Sequence, residues 1–243
     1  MAADELVRVL QWRAQCLGGR KWDGIDILSI VVLLAIHCLV LLALFHFNWS
    51  AFWVTVALYY VTGVGVTLSL HRKLAHRSVK LPKWLEYSFA YCAVLSLQGS
   101  PLEWVSTHRI HHQVSDTWSD PHSPIRGYWF SYIGWIFAYR SFSWYYRFLD
   151  YTYLFHSVTL AWSCTVCSRR ITLSSLGTGC AASIYLHTTF SVNWVCHKWG
   201  KQVWDIGDQS RKLHLEKVGP ANNHHAFQHS AQQGLEWWQI HIL

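Results

Sequence analysis

The sequence predicts an all-α integral membrane protein: helical hairpins, up to four spans, beneath a His-rich cytosolic cap. Three observations carry that expectation. Of 243 residues, 52% are hydrophobic and only 14% charged. Two long uncharged runs follow one another with a three-residue link. The 16 histidines gather largely at the ends of such runs. Sixteen tryptophans fit the same class, since indole rings collect at the membrane–water boundary.

The elements follow in order. Residues 27–47, "ILSIVVLLAIHCLVLLALFHF", are long enough to cross a bilayer core as one helix. After "NWS", residues 51–70 form a second such run, so the two make a tight hairpin with both outer ends on one side. Arg20 and Lys21 precede it, and Arg72, Lys73 and Arg77 follow it; the positive-inside rule places those ends, and both termini, in the cytosol. His37 and His46 read as polar packing residues, having no partners nearby in sequence. Residues 84–97 are apolar but short and carry Glu86, which suits a buried or interfacial helix ended by Gly99 and Pro101. A second hairpin is expected within about 154–195, although Arg169 and Arg170 interrupt it at a cost of about 2.5–3.5 kcal/mol each. The whole chain, 1–243, reads as one unit.

Composition also excludes classes. The net charge of +7 is not interleaved with aromatics in a nucleic-acid-binding pattern, so no nucleic acid partner is expected. Anionic lipid or an acidic protein accounts for it better. Seven irregularly spaced cysteines do not make a disulfide framework, and Cys164–Cys167 lacks the second pair of a zinc site. The first residues have neither the apolar core of a signal peptide nor the composition of a transit peptide.

The chemistry lies in four histidine clusters. His71 and His76 stand in "HRKLAH", directly after the first hairpin. "HRIHH" holds His108, His111 and His112 at i, i+3 and i+4, which an α-helix gathers on one face. Asn193 and His197 are at i and i+4 in "NWVCH", and His224 and His225 are adjacent in "GPANNHHAF". Each cluster alone is weak evidence; four of them beside helix ends predict a metal centre. Eight imidazoles exceed what one ion takes, which points to two metals, and imidazole suits iron, zinc or copper. Asp116 and Asp120, in "SDTWSDPHSP", read either as acceptors for ligand N–H groups or as loop caps.

"HRKLAHRSVK", "STHRIHHQVSDTWSDPHSP", "FSVNWVCHKWG" and "NNHHAFQHSAQQGLEWWQI" closely resemble the membrane fatty-acyl desaturases, above all the plant Δ9-type acyl-lipid and acyl-CoA enzymes. The likeness covers most of residues 20–158 and 187–240. It implies four spans under a cytosolic cap, two iron ions and use of O2 to place a cis double bond in a fatty acyl-CoA or acyl-lipid chain. The implied metal residues are His71, His76, His108, His111, His112, His197, His224 and His225, with Asn193 acting through water. His122, in "DPH", matches a position near the substrate path and is given no ligand role. The resemblance also implies a separate cytochrome b5-type electron donor and residence in the endoplasmic reticulum membrane, among membrane lipid.

This chain departs from the family at three places. Ala221 stands where the family carries a ninth histidine; the upstream His214 is seven residues away. The stretch between Trp135 and Phe148 is shortened, and the third span is the one broken by arginines. Two rival readings therefore accompany the desaturase: an impaired relative that binds lipid or a partner, and a related di-iron lipid hydroxylase.

Overall fold

The computed structural model describes Trp22 and residues 24–138, 171–212 and 221–232. Among these the chain is helical, and the one β-type contact is an isolated bridge between Lys201 and Lys212. Helix α1 (Gly24–Phe45) and helix α2 (Trp49–Val64) form the first hairpin. The turn is set by Asn48, whose side chain accepts from the N–H of Ser50 at 2.8 Å and of Ala51 at 3.4 Å. This satisfies N–H groups that the start of a helix leaves open. Leu34, Leu41, Leu44 and Phe45 on α1 are exposed, as lipid-facing side chains are. Asp26–Phe45 and the continuous Trp49–Ala75 are the described helices long and apolar enough to cross a membrane.

Beyond Val64 the second helix widens into a π-helix, Gly65–Ala75. At its start Gly65 meets helix α3 (Lys83–Val94) backbone to backbone: a Cβ there would lie 2.5 Å from Ala93 N and 2.7 Å from Phe89 O. The sequence places the end of α3 at Gly99 and Pro101. Instead α3 stops at Val94, and Pro101 opens helix α4 (Pro101–Val114). "SPLE" is an N-terminal signal: Ser100 Oγ accepts from Glu103 N at 3.2 Å, and proline fits the first helical position.

A 3-10 turn (Pro124–Arg126), a π-helical turn (Phe130–Gly134) and the short helix α5 (Trp135–Ala138) follow in the chain. The first part of the expected second hairpin, Arg169 and Arg170, most of the shortened 135–148 stretch and His214 lie outside the described residues. From Ile171 the chain runs as one 28-residue helix, α6 (Ile171–Lys198). It packs on α1 and α2: a Cβ on Gly177 would lie 2.8 Å from Val54 Cγ1. Val66, Leu70, Ala93 and Tyr185 form one core cluster, and Ile36, Leu186 and Phe190 another. Helix α7 (Ala221–Ala226) closes the cap.

Candidate metal centre

Four elements bring the predicted histidines together. In an α-helix, residues five apart stand about 140° apart and face opposite ways. The π-helix changes this, because its i→i+5 bond stacks such residues. The His76 N–H donates to His71 O at 3.0 Å, and the two rings lie 4.7 Å apart. Arg109 fixes α4 against the end of that turn, donating from Nε to Ala75 O at 3.0 Å and from Nη2 to Leu74 O at 2.6 Å. These are carbonyls that a helix end leaves unpaired. His108 and His112 are thereby set opposite His71 and His76.

Sequence spacing predicts that "HRIHH" aims three imidazoles one way. The structure splits them. Adjacent helical residues point about 100° apart, so each His-His pair serves two places. His112 and His224 turn toward His71, His76 and His108. His111 and His225 turn toward His197. Candidate ligand atoms of His71, His76, His108 and His224 all lie within 4.8 Å of one another, as do those of His111, His197 and His225.

In the first group five Nε2 atoms form an unbroken path: His71 to His224 (3.0 Å), His224 to His112 (3.0 Å), His112 to His108 (3.1 Å) and His108 to His76 (2.8 Å). A neutral imidazole nitrogen either donates one proton or offers one lone pair. At most two of these four contacts can therefore be hydrogen bonds together. Burial, the largest effect, holds His108, His112 and His224 well below the usual histidine range and brings His76 to about 4. Burial favours the neutral form of these rings, and no choice of tautomers lets all five nitrogens pair with one another. A cation satisfies that arrangement and tautomers do not.

The second group is held differently. His111 Nδ1–H donates to Asp120 at 3.0 Å, His197 Nδ1–H to Asp116 at 3.0 Å, and His225 Nδ1–H to Asp208 at 2.7 Å. An ionised carboxylate only accepts, so a neutral ring held this way offers its lone pair at Nε2, the usual support of a metal-binding histidine. Burial pushes Asp120 up to about 7, although N–H groups of Asp116 and His122 act against it. A nearby cation stabilises such a buried carboxylate. Burial also raises Asp208, but hydrogen bonds from His225 and Ser210 outweigh it and bring that group to about 2. Asp116 holds its place through a positive φ of 60°, a backbone region aspartate tolerates better than most residues.

The remaining predicted residues take clear positions. Asn193 is buried on α6, one turn before His197 on the same face. Ala221 begins α7, one turn before His225, so a histidine there would point toward the second group. That group accordingly has three imidazoles. His122 packs its ring 4.2 Å from His111.

Sequence reading missed the scaffold. Asn222 is fully buried and accepts from Val203 N (2.8 Å) and Trp204 N (2.7 Å), while donating to Trp204 O (2.9 Å). Asn223 accepts from Trp204 Nε1 at 3.0 Å. The two asparagines of "NNHH" thus anchor α7 to the 203–210 loop. Gln98 joins Thr189 on α6 (2.8 Å) to Trp104 Nε1 (3.0 Å), whose ring stacks on His108. Only Arg109 carried a signal, its place inside "HRIHH".

No family model matches the chain. Curated relatives do. Delta-9 acyl-lipid desaturase 2 of Arabidopsis thaliana is 45% identical across 92% of this chain and 79% of its own length. A palmitoyl-monogalactosyldiacylglycerol delta-7 desaturase, chloroplastic, of the same plant is 42% identical over 99% of this chain and 70% of its own. An acyl-CoA 5-desaturase of Anemone leveillei is 44% identical over 91% and 75%. The chain belongs to the fatty-acyl desaturase family. It is thus an oxidoreductase of lipid metabolism, and its all-α membrane architecture with histidine clusters agrees with that. These desaturases share 42–45% identity with it while their names differ in double-bond position and acyl carrier, so identity alone does not assign either.

Proposed function

We propose that this desaturase holds two iron ions and places a cis double bond at Δ9 of an acyl chain carried by CoA or a glycerolipid. The observation that carries the reading is the pair of imidazole groups, one of four rings with His112 in contact beside them and one of three backed by carboxylates. His71, His76, His108, His112 and His224 would hold one ion. His111, His197 and His225 would hold the other, with Asn193 acting through water.

Methylene C–H bonds are not acidic, so general bases cannot start the reaction; bound iron with O2 supplies an oxidant strong enough for it. The electrons balance when O2 takes two from the acyl chain and two from a donor, leaving as two waters with the two substrate hydrogens and two protons. A cytochrome b5-type protein suits the donor role, because a net charge of +7 favours an acidic partner. The protein's own residues aim the imidazole nitrogens and exclude water through burial of the cap. We place it in the endoplasmic reticulum membrane from its resemblance to the plant Δ9-type enzymes, with both termini cytosolic on the basic residues flanking the first hairpin.

Expression in yeast lacking its own Δ9 desaturase tests this reading. About two irons per purified chain and new Δ9 monounsaturated chains are expected. Hydroxylated chains instead would make it the related hydroxylase. Ala221 favours a second reading, an impaired relative that binds lipid or a partner: wild type without iron or product, with both appearing in Ala221→His, would establish it.

A further inference from the structure

Sequence spacing makes His37 a packing residue without partners, yet it has one 150 residues away. His37 Nε2 lies 2.9 Å from His187 Nε2, joining α1 to α6. His37 Nδ1 is 2.6 Å from Leu33 O, and His187 Nδ1 is 2.7 Å from the Tyr132 hydroxyl. With both rings neutral, one assignment of protons fits this chain of contacts. A backbone carbonyl only accepts, so His37 carries its proton on Nδ1 and offers a lone pair at Nε2. His187 must then donate from Nε2, which leaves its Nδ1 to accept from Tyr132. One tautomer of each ring satisfies every contact.

The place of this relay gives it meaning. It borders a groove of about 530 Å³ lined by His37, Val40, Cys180, Ser183, Ile184 and His187, so side-chain packing does not fill the space between α1 and α6 here. Tyr132 belongs to the π-helical turn 130–134, and its neighbour Ser131 donates to Asn193 O at 3.2 Å. That turn therefore grips α6 twice, at His187 and at Asn193. On the same rigid helix, Asn193 and His197 lie about 9 Å and 15 Å beyond His187.

We propose that Tyr132, His187 and His37 form a polar clamp that fixes the rotation and axial position of α6, and so positions Asn193 and His197 at the second metal group. These are positioning residues, and the role rests on the two-iron reading of the histidine groups. Directed hydrogen bonds suit such a clamp, because rotating α6 breaks them, whereas apolar contacts in lipid tolerate small slips.

The test uses the full-length protein purified in detergent, reading iron retained against a chelator and the thermal midpoint. His187→Leu is expected to lose several-fold in iron affinity at the second group, less than the roughly 10-fold that removing a ligand's direct partner costs. His187→Gln, whose amide can donate to His37 and accept from Tyr132, should recover most of it. The double variant His37→Leu/His187→Leu leaves no unpaired imidazole in lipid, so its midpoint should return toward wild type. Its iron affinity should stay low. Recovery of both properties in the double variant, or wild-type affinity in His187→Leu, overturns the clamp. A wild type that binds no iron overturns the metal-centre reading itself.

Discussion

Asp120, Asp116 and Asp208 each accept from a histidine of the second group, while the first group converges through Nε2 contacts. The second group is also the one that Ala221 leaves with three imidazoles. Its affinity therefore depends more on each carboxylate, which fixes a tautomer and raises ligand basicity. Asp120→Asn and Asp208→Asn are each expected to lower iron affinity at one of two sites by about 10–100-fold, read as biphasic iron loss under chelator. Uniform loss from both sites would contradict the separate assignment. Asp116 and Asp120 were legible in sequence because they follow "HRIHH" closely. Asp208 was not: it sits 17 residues before His225, in a loop whose path depends on Asn222.

The helices explain what spacing alone could not. "HRKLAH" has a five-residue step that an α-helix would waste, and nothing in its composition announces a π-helix. The widened turn arises where Gly65 lets α3 approach to backbone contact. Conversely, "HRIHH" was legible as helical because it rests on α-helical periodicity, whereas "SPLE" carried the capping chemistry of a helix start that the reading of Pro101 as a helix end passed over. What spacing missed was that adjacent histidines diverge, which made one expected face into two groups. Gly65 gives this scale its prediction. A Cβ there meets the Ala93 nitrogen and Phe89 oxygen, and backbone cannot swing aside as a flexible side chain can. Gly65→Ala should destabilise the protein by about 1–3 kcal/mol, the usual range for overpacking. The measurement is the unfolding midpoint in detergent; an unchanged midpoint would mean that α3 is free to move.

Across the whole molecule, polarity is sorted along the first hairpin. Its turn is aromatic and exposed, with Phe47, Trp49 and Trp53, while the eight histidines of the two groups and the buried Asp116 and Asp120 collect beyond the other end. Between them α1 exposes Ile27, Val31, Leu34, Leu41 and Leu44, an apolar surface that water would penalise and lipid does not. The sequence carried this much plainly, because a charge-free apolar run of bilayer length is the pattern of a membrane-spanning helix. α6 was less legible: Ser183, His187 and Thr189 dilute its apolar character, and the latter two find their partners, Tyr132, His37 and Gln98, on other elements. Cys38 tests the arrangement, since it is exposed on the protein yet lies midway along α1. In a variant retaining Cys38 as its single cysteine, a membrane-impermeant maleimide should leave it unlabelled in opened membranes and label it once detergent denatures the chain. A cysteine at the exposed His46, at the end of the same run, should react without denaturation. Equal rates at the two positions would mean that water reaches the middle of α1, and α1 would then be no membrane span.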